Sequence, residues 1–154
     1  MKKRNIILSV IGFLSIFLLT GCFSKKAIST NEFRNKASNY NFEVVDVAGQ
    51  YADYGYVKEA TVAKSSNNWQ VEFYVLSTND NAKNMFELNK TTFEESINTS
   101  SKHSSASIGN YSTYSLTTEN NFMYICRIDN TLIYLNIPKG YEKQAQTFIK
   151  DLGY

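Results

Sequence analysis

The sequence predicts an α+β domain in which an antiparallel sheet of about six strands has helices on one face. Helical patterns with one apolar face begin at Ser29, near Thr78 and after Pro138. Alternating stretches rich in β-branched residues lie between these helices. Short asparagine-rich turns join the stretches, which favours hairpins and therefore antiparallel pairing.

Three helices are predicted. The first covers about residues 30–39, because Ser29 and Glu32 have the spacing of a capping box. The second covers about residues 79–98, and its apolar stripe consists of Ala82, Met85, Phe86, Phe93 and Ile97. Asn89 interrupts that stripe, and we expect a hydrogen-bonded amide there, with a ligand-lining role as the alternative. The third helix covers about residues 139–152, and its apolar face consists of Tyr141, Ala145, Phe148, Ile149 and Leu152.

Alternation predicts strands at residues 42–47, 56–64, 69–77, 111–118, 122–128 and 132–137. The serine-rich residues 99–107 are expected to form a polar surface segment, with room for an edge strand at its end. Asn67-Asn68-Trp69 and Asn120-Asn121-Phe122 occupy the same place in the two halves of the chain, each as a turn before a strong strand. This echo leaves open two diverged αβββ halves followed by a C-terminal helix.

The first 22 residues have the layout of an export signal. Lys2, Lys3 and Arg4 precede an apolar run over residues 6–19. The last residue of this run begins the motif Leu19-Thr20-Gly21-Cys22. This arrangement resembles the lipobox of bacterial lipoproteins. The resemblance implies that residues 1–21 are removed and that Cys22 becomes an N-terminus carrying diacylglycerol and a fatty acid such as palmitate. An ordinary signal peptide is one alternative and a retained anchor another, although residues 6–19 are shorter than the roughly 20 residues that span a bilayer.

The lipobox divides the chain into a signal peptide (1–21), an acylated tether (22–28) and one domain (29–154). Removing 21 of the 154 residues leaves 133, which suits one hydrophobic core. Two or more acyl chains would hold this domain on the extracytoplasmic face of the cell membrane. The membrane is therefore the first expected partner.

Charge and cysteine content argue against a nucleic-acid-binding protein and against a disulfide-stabilised one. Three of the 16 Lys and Arg residues lie in the signal, whereas all 14 acidic residues follow it, so the mature chain has a net charge of −1. This balance gives no reason to expect nucleic acid as a partner. Acylation of Cys22 leaves Cys126 without an intrachain partner, so no disulfide is expected, and Cys126 in its apolar strand is interpreted as a buried thiol rather than a nucleophile.

No motif for catalysis, metal binding or cofactor binding is present in the sequence. Glu94 and Glu95 are neighbours on a helix and point in different directions, and His103 has no second ligand near it in sequence. A carboxylate pair from distant positions, such as Asp46 with Glu72, stays open. We expect no enzyme, no cofactor and no metal site, and a small envelope hydrolase is the remaining alternative.

Tyrosine is the residue type that stands out, with 11 in the chain beside 10 Phe and one Trp. If the helices cover the Trp69 face of the sheet, Tyr74 and Leu76 lie on the open face, where Tyr51, Tyr54 and Tyr56 form its rim. We expect this surface to contact an envelope protein or glycan. Strand propensity alone is the simpler explanation of the tyrosines. A carrier of a small hydrophobic ligand or lipid is another alternative, with a cavity between the sheet and the helices lined by Met85, Phe86, Asn89 and Phe93.

The mature part carries a second resemblance. The run Val71-Glu72-Phe73-Tyr74, followed by Ala82, Met85-Phe86 and Asn89-Lys90, is similar to small uncharacterised lipoproteins of Gram-positive bacteria. This resemblance implies a membrane-anchored extracytoplasmic protein and no particular activity. Together these patterns predict a non-catalytic binding or interaction module of the cell envelope.

Overall fold

The computed structural model describes residues 24–154, so the predicted signal peptide and Cys22 lie outside the described part. It contains three α-helices: α1 (Thr30–Asn39), α2 (Asn79–Glu94) and α3 (Glu142–Leu152). Its strands are β1 (Glu43–Asp46), β2 (Val57–Lys64), β3 (Gln70–Leu76), β4 (Lys102–Ile108), β5 (Tyr111–Thr117), β6 (Asn121–Ile128) and β7 (Thr131–Pro138). Single 3₁₀ turns occupy Ala48–Tyr51 and Lys139–Tyr141. The predicted α+β class is confirmed.

All the strands form one open antiparallel sheet in the order β1-β2-β3-β7-β6-β5-β4. The described residues contribute seven strands, whereas the sequence predicted about six. The addition is β4, which pairs with β5 along its whole length, from Lys102 with Thr117 to Ile108 with Tyr111. Its side chains are exposed on both faces, so no apolar alternation marks it in the sequence. His103, which lies in the segment predicted as polar surface, is therefore part of an exposed edge strand.

Helices cover both faces of the sheet, and the prediction of one covered face is wrong. Helices α1 and α3 pack on the face that carries Val71 and Phe73 of β3. Helix α2 packs on the opposite face, over Tyr74 and Leu76. Strand β3 is therefore buried from both sides at the centre of a three-layer domain.

The positions of α1 and α2 also speak against a symmetric duplication. The two halves would meet at β3 and β7, which pair antiparallel. A twofold axis that relates antiparallel neighbours is perpendicular to the sheet and keeps equivalent helices on the same face. Because α1 and α2 lie on opposite faces, no rotation superimposes the two halves.

The segment predicted as an acylated tether lies on the domain from Lys25 onwards. The Lys25 backbone N–H donates to Asn110 Oδ1 (3.1 Å), and Asn110 Nδ2 donates to the Lys25 carbonyl oxygen (2.7 Å). The Lys25 ammonium lies 4.2 Å from the centre of the Tyr111 ring. Ala27 and Ile28 pack against the core beneath α1 and α3. Within residues 24–154, no helix is long and apolar enough to span a membrane.

Candidate functional site

A groove of about 450 Å³ lies between helix α2 and the loop that precedes β2. We call it the tyrosine groove, and its lining consists of Tyr51, Tyr54, Tyr56, Val57, Asn81, Asn84, Met85, Leu88 and Asn89. The lining is mainly aromatic and aliphatic, with amide groups contributed by α2. A concave apolar surface of this size with a few polar groups is the usual form of a small-molecule site.

The loop wall of the groove is a chain of aromatic contacts. The rings of Tyr54 and Tyr56 meet edge to face at 5.8 Å, and those of Tyr51 and Tyr54 lie 6.4 Å apart. Tyr51 in turn meets the buried ring of Tyr74 edge to face at 5.5 Å. Such contacts hold the rings in defined positions without removing the outer two from solvent.

Hydrogen bonds fix the inner end of this wall. The Tyr51 and Tyr74 hydroxyls lie 2.8 Å apart, and Tyr74 also donates to a carboxylate oxygen of Glu72. The other oxygen of Glu72 accepts from Gln70 Nε2 at 2.9 Å. Burial raises the pKa of Tyr74 far above its usual range, and the nearby Glu72 carboxylate raises it further. Tyr74 therefore stays protonated and remains a donor throughout the physiological pH range.

The backbone of residues 51–57 is held by two successive turns. The Tyr54 N–H donates to the Tyr51 carbonyl (2.8 Å), and the Val57 N–H donates to the Tyr54 carbonyl (2.9 Å). The Tyr56 carbonyl accepts from the Ser77 N–H at 2.8 Å, which joins the loop to the end of β3. The β2–β3 register then shifts between Val57 and Glu59, and this bulge leaves Val57 opposite Leu76 on the groove side of the sheet.

Helix α2 supplies the opposite wall through residues outside its buried stripe. Ala82, Phe86 and Phe93 are buried against the sheet, as predicted, whereas Leu88 is 70% exposed. Asn89 Nδ2 donates to the Met85 carbonyl of the previous turn (2.8 Å), which confirms the expected hydrogen-bonded amide. The bond uses one N–H of the Asn89 amide, so the carbonyl oxygen and the second N–H are left for a ligand.

The structure brings together part of the surface predicted from sequence. Tyr51, Tyr54 and Tyr56 are neighbours and line the groove. Tyr74 and Leu76 do not lie on an open face: α2 covers them, and both are buried in the core. The prediction of an open tyrosine-bearing sheet face is therefore wrong.

The predicted cavity beneath α2 is also revised. Met85 and Asn89 line the tyrosine groove, whereas Phe86 and Phe93 are buried in the core. The hollow thus lies beside α2 rather than between α2 and the sheet. Sequence analysis missed Val57, Asn81, Asn84 and Leu88. One feature of the sequence could have indicated this wall of the groove: Leu88 is apolar but lies outside the apolar stripe of its helix.

The candidate catalytic groups do not come together. Asp46 lies on the α1 face of the sheet and forms an ion pair with Arg34 at 3.1 Å, whereas Glu72 lies on the α2 face beside Tyr74. Glu94 lies 3.9 Å from the Lys90 ammonium on the surface of α2. Cys126 is fully buried, and burial raises its pKa to about 12. Among residues 24–154, no three His, Cys, Asp or Glu side chains are arranged to hold a metal ion.

A second hollow, of about 330 Å³, lies beside Trp69 at the other end of the sheet. The Trp69 ring is almost fully buried, meeting Phe42 edge to face at 5.1 Å and stacking on Tyr141 at 6.2 Å. A glycan that binds a tryptophan needs an open ring face, and none is open here. The tyrosine groove is therefore the better candidate site.

Comparison with protein-family models, with curated proteins and with solved structures found no match to this chain.

Proposed function

We propose that this protein is a non-catalytic, lipid-anchored binding protein of the cell envelope, and that its tyrosine groove holds an amphiphilic ligand. The observation that carries the proposal is the groove itself, a hollow of about 450 Å³ whose two walls are apolar and whose amides come from α2. Its volume lies within the roughly 300–1,000 Å³ that is typical of ligand sites.

The groups in the groove indicate the chemistry of the ligand. Rings of Tyr54 and Tyr56, with Met85 and Leu88 opposite, offer contact to an apolar chain or ring. The tyrosine hydroxyls and the Asn84 amide at the rim offer hydrogen bonds to a polar head. None of the described residues that line the groove is charged. We therefore expect a ligand with an apolar body and an uncharged or weakly charged polar group.

The anchor is the second part of the proposal. Basic residues, an apolar run and Leu19-Thr20-Gly21-Cys22 favour removal of residues 1–21 and acylation of Cys22. Two or three acyl chains hold a protein on a membrane far more firmly than one. The Cys22→Ala variant should leave the membrane fraction, and the mass of the extracted wild-type chain should show an acylated Cys22. An unmodified Cys22 would contradict the proposed anchor but would not bear on ligand binding in the groove.

Binding of an apolar fluorescent probe tests the groove. The mature chain with Cys22→Ser is titrated with the uncharged probe N-phenyl-1-naphthylamine. We expect Leu88→Asn to weaken binding about ten-fold, because partial burial of a leucine contributes about 1.4 kcal/mol.

The matched control is Ile97→Asn. Ile97 is 44% exposed and lies beyond the end of α2, away from the groove, so its replacement changes exposed apolar area without changing the groove. The control should bind the probe as the wild type does. Equal weakening in the two variants would show that the probe binds exposed apolar surface in general, and the groove would lose its support.

A further inference from the structure

The tyrosine groove and the start of the described chain lie at the same end of the sheet. The β6–β7 turn marks this end, because the Leu76 N–H donates to the Asn130 carbonyl and the Asp129 N–H to the Asn110 carbonyl. The bond from the Ser77 N–H to the Tyr56 carbonyl adds the start of β2 to it. We call this the Asn130 end. Trp69 lies at the opposite end, because β3 begins at Gln70 and reaches Leu76 at the Asn130 end.

The chain leaves the domain at the Asn130 end. Lys25 is held there by its two hydrogen bonds to Asn110 and by its ammonium, which donates to the Gly153 carbonyl at 3.3 Å. Cys22 lies three positions before Lys25 in the sequence, a distance of about 10 Å at most in an extended chain. An acylated Cys22 therefore cannot stand far from this end of the sheet.

The same end carries exposed side chains that suit a lipid interface. Tyr54 is 52% exposed and Ile108, at the tip of the β4–β5 hairpin, is 55% exposed. Tyr56 is also exposed beside the groove. Tyrosine is enriched where membranes meet water, because its ring is apolar and its hydroxyl is polar. Five strand spacings separate β2 from β4, which carries Ile108, so these side chains extend about 24 Å across the end.

We propose that the Asn130 end docks on the lipid surface, with Tyr54, Tyr56 and Ile108 in contact with the headgroup region and the mouth of the tyrosine groove at the same level. The proposal rests on the lipid anchor of the proposed function. It adds a fixed orientation, and it makes an amphiphile of the bilayer itself the ligand class that reaches the groove most directly.

Charge does not drive this docking. Asp53, Asp80 and Asp129 lie at the Asn130 end together with Lys25, Lys58 and Lys83. Lys83 forms an ion pair with Asp80 at 3.3 Å, which reduces its availability for lipid phosphates. Contact should therefore occur on zwitterionic lipid and change little with salt.

Depth-dependent fluorescence quenching tests the orientation. A maleimide lipid is coupled to Cys22 of the purified mature chain, since the buried Cys126 thiol does not compete. The protein is placed on phosphatidylcholine vesicles that contain a lipid with a brominated acyl chain. Tyr54→Trp and Ile108→Trp report on the Asn130 end. Trp69 is present in every sample as a reference at the far end, and Ile97→Trp is the matched surface control.

Brominated lipid should remove most of the emission added by Tyr54→Trp and Ile108→Trp. It should leave the emission of Trp69 and of Ile97→Trp unchanged. Vesicle-bound protein with no quenching at Tyr54→Trp, or with equal quenching at Ile97→Trp, would overturn the orientation. Because the lipid is attached chemically, such a result is distinct from a failure of natural acylation, which the mass of the extracted chain reports alone.

Discussion

The Tyr51 hydroxyl lies 2.8 Å from the Tyr74 hydroxyl, and this bond joins the wall of the groove to the core of the sheet. Tyr74 is buried under α2, and its hydroxyl also donates to Glu72. Tyr51, which lines the groove, is thereby fixed by Tyr74 and Glu72, which do not line it. The shape of the groove depends on this network.

Replacing Tyr74 with Phe should leave the groove wall less firmly held without creating a cavity in the core. The substitution keeps the ring and removes the donor to Glu72 together with the partner of Tyr51, so we expect a loss of about 1–2 kcal/mol in the free energy of unfolding. Probe binding to the groove should weaken as well. Urea denaturation and the phenylnaphthylamine titration measure the two effects. Tyr54→Phe at an exposed position is the control, and a stability change as large as that of Tyr74→Phe would argue against a special role for the Tyr51–Tyr74 bond.

The Cys126 thiol should be inert in the folded protein. It is fully buried and its pKa is raised to about 12, so almost no thiolate forms at pH 8. In the unacylated mature chain, a thiol reagent should modify one cysteine rapidly, and the second only in denaturant. The Cys22→Ser variant should show no rapid reaction. Rapid labelling of Cys126 in that folded variant would show that the strand is not packed as described.

Stability should fall steeply above pH 10. Burial raises the pKa values of Tyr74, Tyr124 and Tyr154 in the folded protein, whereas tyrosines of the unfolded chain ionise near pH 10. Below that pH both states keep these protons, and the three residues add no pH dependence. Above it only the unfolded chain releases them, so each contributes a loss of about 1.4 kcal/mol per pH unit.

Urea denaturation between pH 8 and 11 measures this loss. The Tyr124→Phe variant should show a smaller slope above pH 10, because one of the retained protons is gone. An unchanged slope would show that Tyr124 does not hold its proton in the folded state.

The buried charge of Arg127 should lower the free energy of unfolding of the domain. Its side chain is almost fully buried, and its two hydrogen bonds are to neutral oxygens, the Asp129 carbonyl (3.1 Å) and Ser112 Oγ (3.2 Å). Nε has no partner, and no carboxylate among residues 24–154 lies within 4.0 Å. We expect Arg127→Leu to raise the free energy of unfolding by about 1 kcal/mol, since apolar replacement of buried ionic groups is often stabilising. Arg127→Ala, which leaves a cavity, is the contrast, and a loss of stability in Arg127→Leu would show that the charge has a favourable partner.

Sequence patterns predicted most of the secondary structure, because helix caps and the alternation of apolar residues depend on residues that are close together in the chain. The capping box at Ser29 is present, with the Ser29 side chain accepting from the Glu32 N–H and Glu32 accepting from the Ser29 N–H. The strand around Phe73 lies close to its predicted bounds. Helix α2 ends at Glu94 rather than near residue 98, and the prediction of Ile97 in its apolar stripe is wrong, because Ile97 lies beyond the helix and is exposed. Strand β4 differs, because its serine-rich residues form a strand only through pairing with β5.

The placement of α2 could not be derived from its own periodicity. An apolar stripe shows which side of a helix is buried but does not show which face of a sheet it covers. The run Phe73-Tyr74-Val75-Leu76 carried the missing information, because a strand that is apolar on both sides is covered on both sides. Because α2 was expected on the other face, Tyr74 and Leu76 were predicted to lie on an open surface, although both are core residues. The three loop tyrosines were found because they are close in sequence, whereas Asn84 and Leu88 approach them only through the fold.

Native mass spectrometry of the protein extracted from its own membrane in mild detergent tests the proposed function most directly. The wild-type chain should begin at an acylated Cys22 and carry one bound amphiphile, and Leu88→Asn should carry much less of it while Ile97→Asn carries as much as the wild type. A wild-type chain that retains residues 1–21, or that holds no amphiphile sensitive to Leu88→Asn, would contradict the proposal.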